Sequence, residues 1–354
     1  MTGPDPHIAL LEEMLSIPAI SRKEKQRCDF LEQYLQGSGF NVWRKGNNLM
    51  VGEWKRKDRR PVLLLNSHMD TVAPSGDWEC DPLKPLVKQD RIVGLGSNDA
   101  GASVVSLIGV YRDLHRELEE RIQLLLLISA EEEVSGQGGI SSVLPHLENI
   151  DGAIVGEPTG MQPAVAERGL MVLDGTVKGR SGHAAREEGE NAIYKTLEDL
   201  ISIRDLRFPE RSGWLPAASA QVTMISSGTA HNVVPGLCEY VVDVRSNDRY
   251  GNEEMLEMIR SVCHATLEPR SLRLKSSCLP EGHFLMEAIR RCDMTPFGSS
   301  TLSDMALLPF PAVKMGPGDS SRSHTAGEYI LFDELKQGIE GYIRFLRSLK
   351  FGKT

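Results

Sequence analysis

The sequence predicts an α/β protein whose mainly parallel central sheet is interrupted by an inserted α+β domain. Three observations predict it. Short continuous apolar runs alternate with helical periodicities up to about Val165. Strands that alternate apolar and polar residues follow, as suits a sheet with one wet face. From about Cys278 the first pattern returns, so the expected boundaries are 1–165 and 278–354 for the α/β domain and 166–277 for the insert.

Taken in order, one helical periodicity runs through Ile8, Leu11, Leu15 and Ile17. A second runs through Phe30, Leu31, Tyr34 and Leu35 to a stop at Gly37-Ser-Gly39. Apolar runs at 61–66, 122–128 and 153–155 read as buried strands, with a helix from Ala102 to about Leu118 between the first two. In the insert, Leu170–Val177 and Leu237–Val244 alternate, and helices are expected at roughly 190–204 and 252–268. The insert thus reads strand-helix-strand-strand-helix-strand. A helix at His283–Arg291, a strand at Ala312–Met315 and a long helix from Asp333 complete the chain.

Composition narrows the function classes. Of 354 residues, 40% are apolar and 25% charged, and a length beyond one core's usual size favours two domains. Acids outnumber bases 49 to 40, giving a net charge of −9. That balance argues against nucleic-acid or membrane partners, which need a basic surface. No apolar run approaches the ~20 residues of a membrane span, and the N-terminus lacks the features of a signal peptide. Six cysteines without CxxC pairs read as reduced thiols, so the expected location is cytoplasmic.

Chemistry in an open α/β sheet collects at the carboxyl ends of strands, and five polar clusters fall there. The first is His68-Met-Asp70, where residues i and i+2 point the same way, so Asp70 can accept a ring N–H of His68. A lone motif of this kind is more often a strand-end cap. The second is Gly94-Leu-Gly-Ser-Asn-Asp99-Ala-Gly101, whose spacing fits no phosphate loop and whose acid suits a cation. The third, Glu131-Glu132-Glu133, ends the most apolar strand, where adjacent carboxylates repel unless a cation compensates. Gly156-Glu157-Pro and His324, in the loop ahead of the final helix, are the fourth and fifth. Two imidazoles and several carboxylates suit zinc, with cobalt or manganese possible, and two ions roughly 3.5–4 Å apart suit hydrolysis.

This ordered set of motifs resembles the M20 metallopeptidase family, of acetylornithine deacetylase, succinyl-diaminopimelate desuccinylase and carboxypeptidase G2 type, across essentially the whole chain. The resemblance implies a phosphorylase/hydrolase-like zinc-peptidase domain and a ferredoxin-like insert that forms a homodimer. It implies that Asp99 bridges two divalent metals and is followed by a cis peptide. His68 and Glu157 would complete one metal site, and Glu133 and His324 the other. Glu132 would be the general base acting on a water held between the metals, and Asp70 the orienter of His68.

In the insert, Ser181-Gly-His183 resembles the family's oxyanion-stabilising histidine, acting on the partner subunit. Asn232-Val-Val-Pro and Val242-Asp-Val-Arg245 match further motifs, with Arg245, and secondarily Arg168, as clamps for a substrate carboxylate. Two departures bear on substrate contact: Asp99-Ala-Gly replaces the usual Asp-x-Lys-Gly, and Thr301-Leu-Ser303-Asp304 replaces Gly-Thr-Ser-Asp. His115 and His146 match no motif and are expected at the solvent surface.

The implied activity is removal of an acetyl or succinyl group from an amino acid of arginine biosynthesis, N-acyl-citrulline or N-acetylornithine. The set Ser320, Ser321, Arg322 and Ser323 is neutral to basic, which suits a ureido oxygen or a succinyl carboxylate better than an ammonium. An M20-type dipeptidase or carboxypeptidase and a dinuclear zinc aminopeptidase are the alternative enzymes, the last opposed by His183 and Arg245. A non-catalytic relative would be expected to have lost a ligand or the base, and every one is present.

Overall fold

The computed structural model describes residues 5–53, 58–186 and 188–351. They form two compact units: Met1–Val165 with Leu279–Phe297 and Ser303–Thr354, and Ala166–Cys278 with Gly298–Leu302. The five residues 298–302 thus group with the insert, although the sequence alone places them in the closing part of the α/β domain. Among the described residues no helix is long and apolar enough to cross a membrane.

At the centre of the first unit three strands run parallel: Gln123–Ser129, Val62–His68 and Gly152–Val155, with Ala312–Lys314 parallel beyond them. All seven residues of Val62–His68 are buried, because helices cover both faces and leave no wet side. Val62 and Leu64 pack with Leu125, Leu127, Ile140 and Val143, while Leu63 and Leu65 are equally buried on the other face. Helix Ala102–Leu114 is buried from Ala102 through Tyr111 and packs against Phe332–Ser348.

The sheet is mixed at its edges. The strands Val42–Lys45 and Asn48–Val51 form an antiparallel hairpin on Gln123–Ser129, and Ala164–Glu167 joins Ala312–Lys314 antiparallel on the far side. The hairpin turns on Gly46-Asn47, with Gly46 at φ +59°, a two-residue signal that the apolar-run reading passes over.

The second unit is a four-stranded antiparallel sheet in the order Ser219–Ser227, Leu237–Arg245, Met171–Lys178, Thr266–Pro269. With helices Ala192–Asp205 and Asn252–Arg260 this is the ferredoxin-like arrangement. Alternation decides the faces: Met171, Leu173 and Val177 are buried with Tyr240, Val242 and Val244, while their neighbours are half-buried or exposed. The expected helix over 252–268 ends at Arg260, because Thr266–Pro269 supplies the fourth strand, with Pro269 at its edge.

Candidate metal centre

The parallel register sets the site. His68 ends its strand opposite Ser129, and Asn66 pairs with Val155, so His68, the triplet after Ser129 and Glu157 emerge at one edge of the sheet. Asp99 arrives on the loop before helix Ala102–Leu114, and His324 on the loop that follows Ala312–Lys314. The peptide bond between Asp99 and Ala100 is cis. Gly96 permits that loop: it sits at φ +79°, and a Cβ there would lie 2.5 Å from the Thr71 methyl.

Asp99 lies between the two imidazoles. One carboxylate oxygen is 3.2 Å from Nε2 of His68, and the other is 3.8 Å from Nε2 of His324. Glu133 lies 2.8 Å from the same His324 nitrogen. Glu157 and Glu132 lie 3.6 and 3.8 Å from Nε2 of His68. Two sets of potential ligand atoms fall within 4.8 Å of one another, His68 with Asp99 and Glu133, and His68 with Glu132 and Glu157. Proximity alone therefore groups Glu132 with ligands, although the resemblance makes it the base. Glu131 turns away, its carboxylate accepting the N–H of Gly138.

The electrostatics are those of an anionic pocket. Two carboxylates about 4 Å apart repel by roughly 4 kcal/mol at an effective dielectric of 20. Burial, then the neighbouring carboxylates, pushes Glu132 and Glu157 well above the usual carboxylate range, against the pull of His68. Burial alone would lower His68, but Glu132, Asp70, Asp99 and Glu157 hold it well above its ordinary value. The hydrogen bond with Glu133 raises His324 to about 9. Oε1 of Glu157 is buried without a hydrogen-bond partner. Crowded carboxylates, two imidazoles and an unpartnered buried oxygen fit divalent cations.

Asp70 departs from expectation in one respect. Nδ1 of His68 meets the backbone carbonyl of Asp70 at 3.0 Å, and its carboxylate only at 3.5 Å. The Asp70 carboxylate is occupied instead by the N–H groups of Glu132 and Glu133 and the hydroxyl of Ser21. Asp304, from the departing Thr-Leu-Ser-Asp motif, is buried and accepts the hydroxyl of Ser129.

Glu328 passes unnoticed in the sequence. It is buried, and its carboxylate accepts the backbone N–H groups of Gly96, Asn98 and Asp99. The pairing of Tyr329–Leu331 with Arg91–Val93 places it there. Its only sequence signal is its position four residues after His324.

The remaining candidates lie in the second unit and form two groups. His183 pairs with Val233 beside Asn232, whose carbonyl accepts the N–H of Ala184. Nδ1 of His183 accepts the N–H of Ala185. The guanidinium of Arg245 is held by both carboxylate oxygens of Asp243. Arg168 donates to the carbonyls of Ala217 and Arg245 and to Ser219, and its buried Nε has no partner.

Two expectations change, those for Arg322 and His115, and the one for His146 holds. Arg322 is not available to a ligand, because Glu334 takes it in a two-pronged ion pair. His115 is half-buried and stacks on Tyr111, with Phe40 at its edge, since the apolar face of its helix extends to that turn. His146 is exposed and leans on Trp43.

The family model described as peptidase family M20/M25/M40 matches residues 64–348. The chain is 27% identical over 386 residues to succinyl-diaminopimelate desuccinylase of Azoarcus sp. (strain BH72), covering 99% of each. Its fold is similar to that of aminopeptidase PepT from Bacillus cereus, with a TM-score of 0.76 at 19% identity and 97% of each chain covered. It is also similar to the YXEP protein of Bacillus subtilis, a dinuclear metal-binding peptidase of the M20 family, with a TM-score of 0.71 at 16% identity and 96% of each chain covered.

Proposed function

The chain belongs to peptidase family M20/M25/M40 and is a hydrolase, and from that premise we propose that it is a two-metal amidohydrolase that removes an acyl group from an N-acyl amino acid. The observation that carries this reading is Asp99, which turns one carboxylate oxygen toward each of two imidazoles. His68, Asp99 and Glu157 would hold one ion, and Asp99, Glu133 and His324 the other. The mixed imidazole and carboxylate donor set favours zinc, and cobalt or manganese fit the same donors. Such ions supply Lewis-acid polarisation of a carbonyl and acidification of water.

The chain's own residues carry the protons. Glu132, half-buried and with a raised proton affinity, takes a proton from the attacking water and delivers it to the leaving amine. With Nδ1 of His183 accepting a backbone N–H, a neutral ring carries its proton on Nε2. That N–H is the donor for the developing oxyanion, a contact commonly worth about 3 kcal/mol. Arg245, whose Nη1 is left free by the pair with Asp243 and whose side chain is more open than that of Arg322, binds the substrate carboxylate with Arg168 beside it. Asn232 holds the turn that carries His183.

The substrates proposed are N-acyl-citrulline and N-acetylornithine, with citrulline preferred. With Arg322 committed to Glu334, the loop offers the neutral Ser320, Ser321 and Ser323, which suit a ureido group. A second reading, removal of succinate from N-succinyl-diaminopimelate, is favoured by the relatives named for that activity.

A homodimer through the second unit is part of this proposal, and the exposed apolar surface of that unit supports it. Met224 and Ile225 on the edge strand are 65% and 54% exposed, and Tyr194, Leu197 and Ile201 line an exposed helix face. Initial rates of amine release from matched N-acetyl and N-succinyl derivatives of citrulline, ornithine and diaminopimelate, and from unblocked dipeptides, test the reading. Citrulline derivatives are expected to exceed ornithine ones by at least ~10-fold in kcat/KM, a difference of ~1.4 kcal/mol. Preference for the diaminopimelate compound establishes the second reading, and activity confined to dipeptides overturns both.

A further inference from the structure

Arg27 is an unusual residue to find in a helix of the first unit, because its side chain is buried. Burial pulls its pKa down to about 10, so it remains a cation at neutral pH. Its Nε donates to the carbonyl of Ile17, and Nη1 to the carbonyl of Met69, the residue between His68 and Asp70. Three carboxylates surround that charge: Asp70 follows Met69 directly, Glu328 accepts the N–H of Gly96, where a Cβ would lie 3.8 Å from Nη1, and Glu24 is the N-cap residue of the same helix.

Those three acids share one task. Asp70 accepts the N–H groups of Glu132 and Glu133, and Glu328 those of Gly96, Asn98 and Asp99. Glu24 accepts the N–H of Glu131. Each therefore fixes a backbone segment that carries a proposed metal ligand or the base. Because the Arg27 donors go to carbonyls, the carboxylate oxygens stay available to these N–H groups. Ser21, on the same N-terminal segment, ties Asp70 by its hydroxyl, and the backbone of Thr71 bonds to Ala19 and Ser21. Three buried acids near one site destabilise it unless a cation offsets them.

We propose that Arg27 is a positioning residue of the metal centre, whose charge holds the Asp70, Glu328 and Glu24 carboxylates in place to orient the ligand-bearing backbone. The inference rests on the two-metal reading above. Competition between full-length protein and a chromogenic chelator for Zn²⁺ or Co²⁺ at pH 8 tests it. Arg27→Met is expected to weaken metal binding at least ten-fold with the circular-dichroism spectrum retained, while Arg27→Lys, which keeps the charge, stays within about three-fold of wild type.

Wild-type affinity in Arg27→Met overturns the proposal, as does an equal loss in Arg27→Lys, since shape rather than charge would then matter. Should Arg27→Met not fold, Arg27→Lys is read beside Glu328→Gln. A ten-fold loss in Glu328→Gln alone supports the proposal, and unchanged binding in Glu328→Gln, or a loss in both variants, overturns it. Failure of the wild type to take up two ions would instead refute the metal reading itself.

Discussion

Asp70 holds the backbone of Glu132, its Oδ1 accepting the Glu132 N–H at 3.0 Å while Oδ2 accepts that of Glu133 at 3.2 Å. One buried carboxylate thus sets both residues of the pair to which base and ligand roles are proposed. It also touches the first imidazole, mainly through its backbone carbonyl. The turn after Gln123–Ser129 is therefore tied to the turn after Val62–His68, and the two cannot shift independently.

Asp70→Asn follows as a first test. An amide offers one acceptor oxygen and turns an NH₂ toward the second N–H, so the Glu132–Glu133 turn loses one bond and gains a clash of donors. Metal affinity or kcat/KM is expected to fall 10- to 100-fold, with the fold intact. Chelator competition and initial rates measure the two quantities, and a variant indistinguishable from wild type would remove Asp70 from the account.

The metal-free protein should lose stability as pH rises. Burial raises Asp304 to about 6 and Glu328 to about 7, and the bond to Glu133 raises His324 to about 9. In each case the folded chain keeps a proton that the unfolded chain has released, so stability falls with pH across the gap. The gaps run from about 4 to 7 for the acids and from about 6.5 to 9 for His324. Because His324 is half-exposed, solvent reduces its share. Melting temperature of the chelated protein should decline from pH 5 to 9, and added Zn²⁺ should raise it more at the alkaline end, where His324 gives up its proton more readily to the metal. A melting temperature that climbs with pH over this range would contradict these assignments.

Complementation tests the role of His183. If it serves the partner subunit's site, a mixture of His183→Ala and Glu132→Gln proteins recovers part of the activity after subunit exchange, because one site of the mixed dimer has both groups. No recovery, with exchange verified by differently tagged subunits, would mean that the histidine acts within its own chain or not at all.

Much of this was legible because function at a parallel sheet edge leaves marks at fixed places. His68, Glu132 and Glu157 each stand within three residues of the end of an apolar strand, so strand ends could be read and their acids noticed. The alternation of Met171–Lys178 and Leu237–Arg245 likewise gave away a one-faced sheet. What escaped was the supporting layer. Glu328 and Arg27 are charged residues in ordinary-looking surroundings, and only the fold reveals that they are buried. Arg322 looked like a ligand because its partner Glu334 belongs to the next element, where pairing depends on how the final helix starts. The expected 252–268 helix failed for a similar reason: the demand of the sheet for a fourth strand overrides local periodicity.

Metal content and activity of two single variants test the central claim, a two-metal site with Glu132 as its base, most directly. Elemental analysis of Glu132→Gln should find two ions per chain, with hydrolysis abolished, because the amide keeps the shape of the side chain but cannot carry the proton. Glu133→Gln should lose one ion. Loss of metal from Glu132→Gln, with both ions kept by Glu133→Gln, would reverse the two roles and contradict the account.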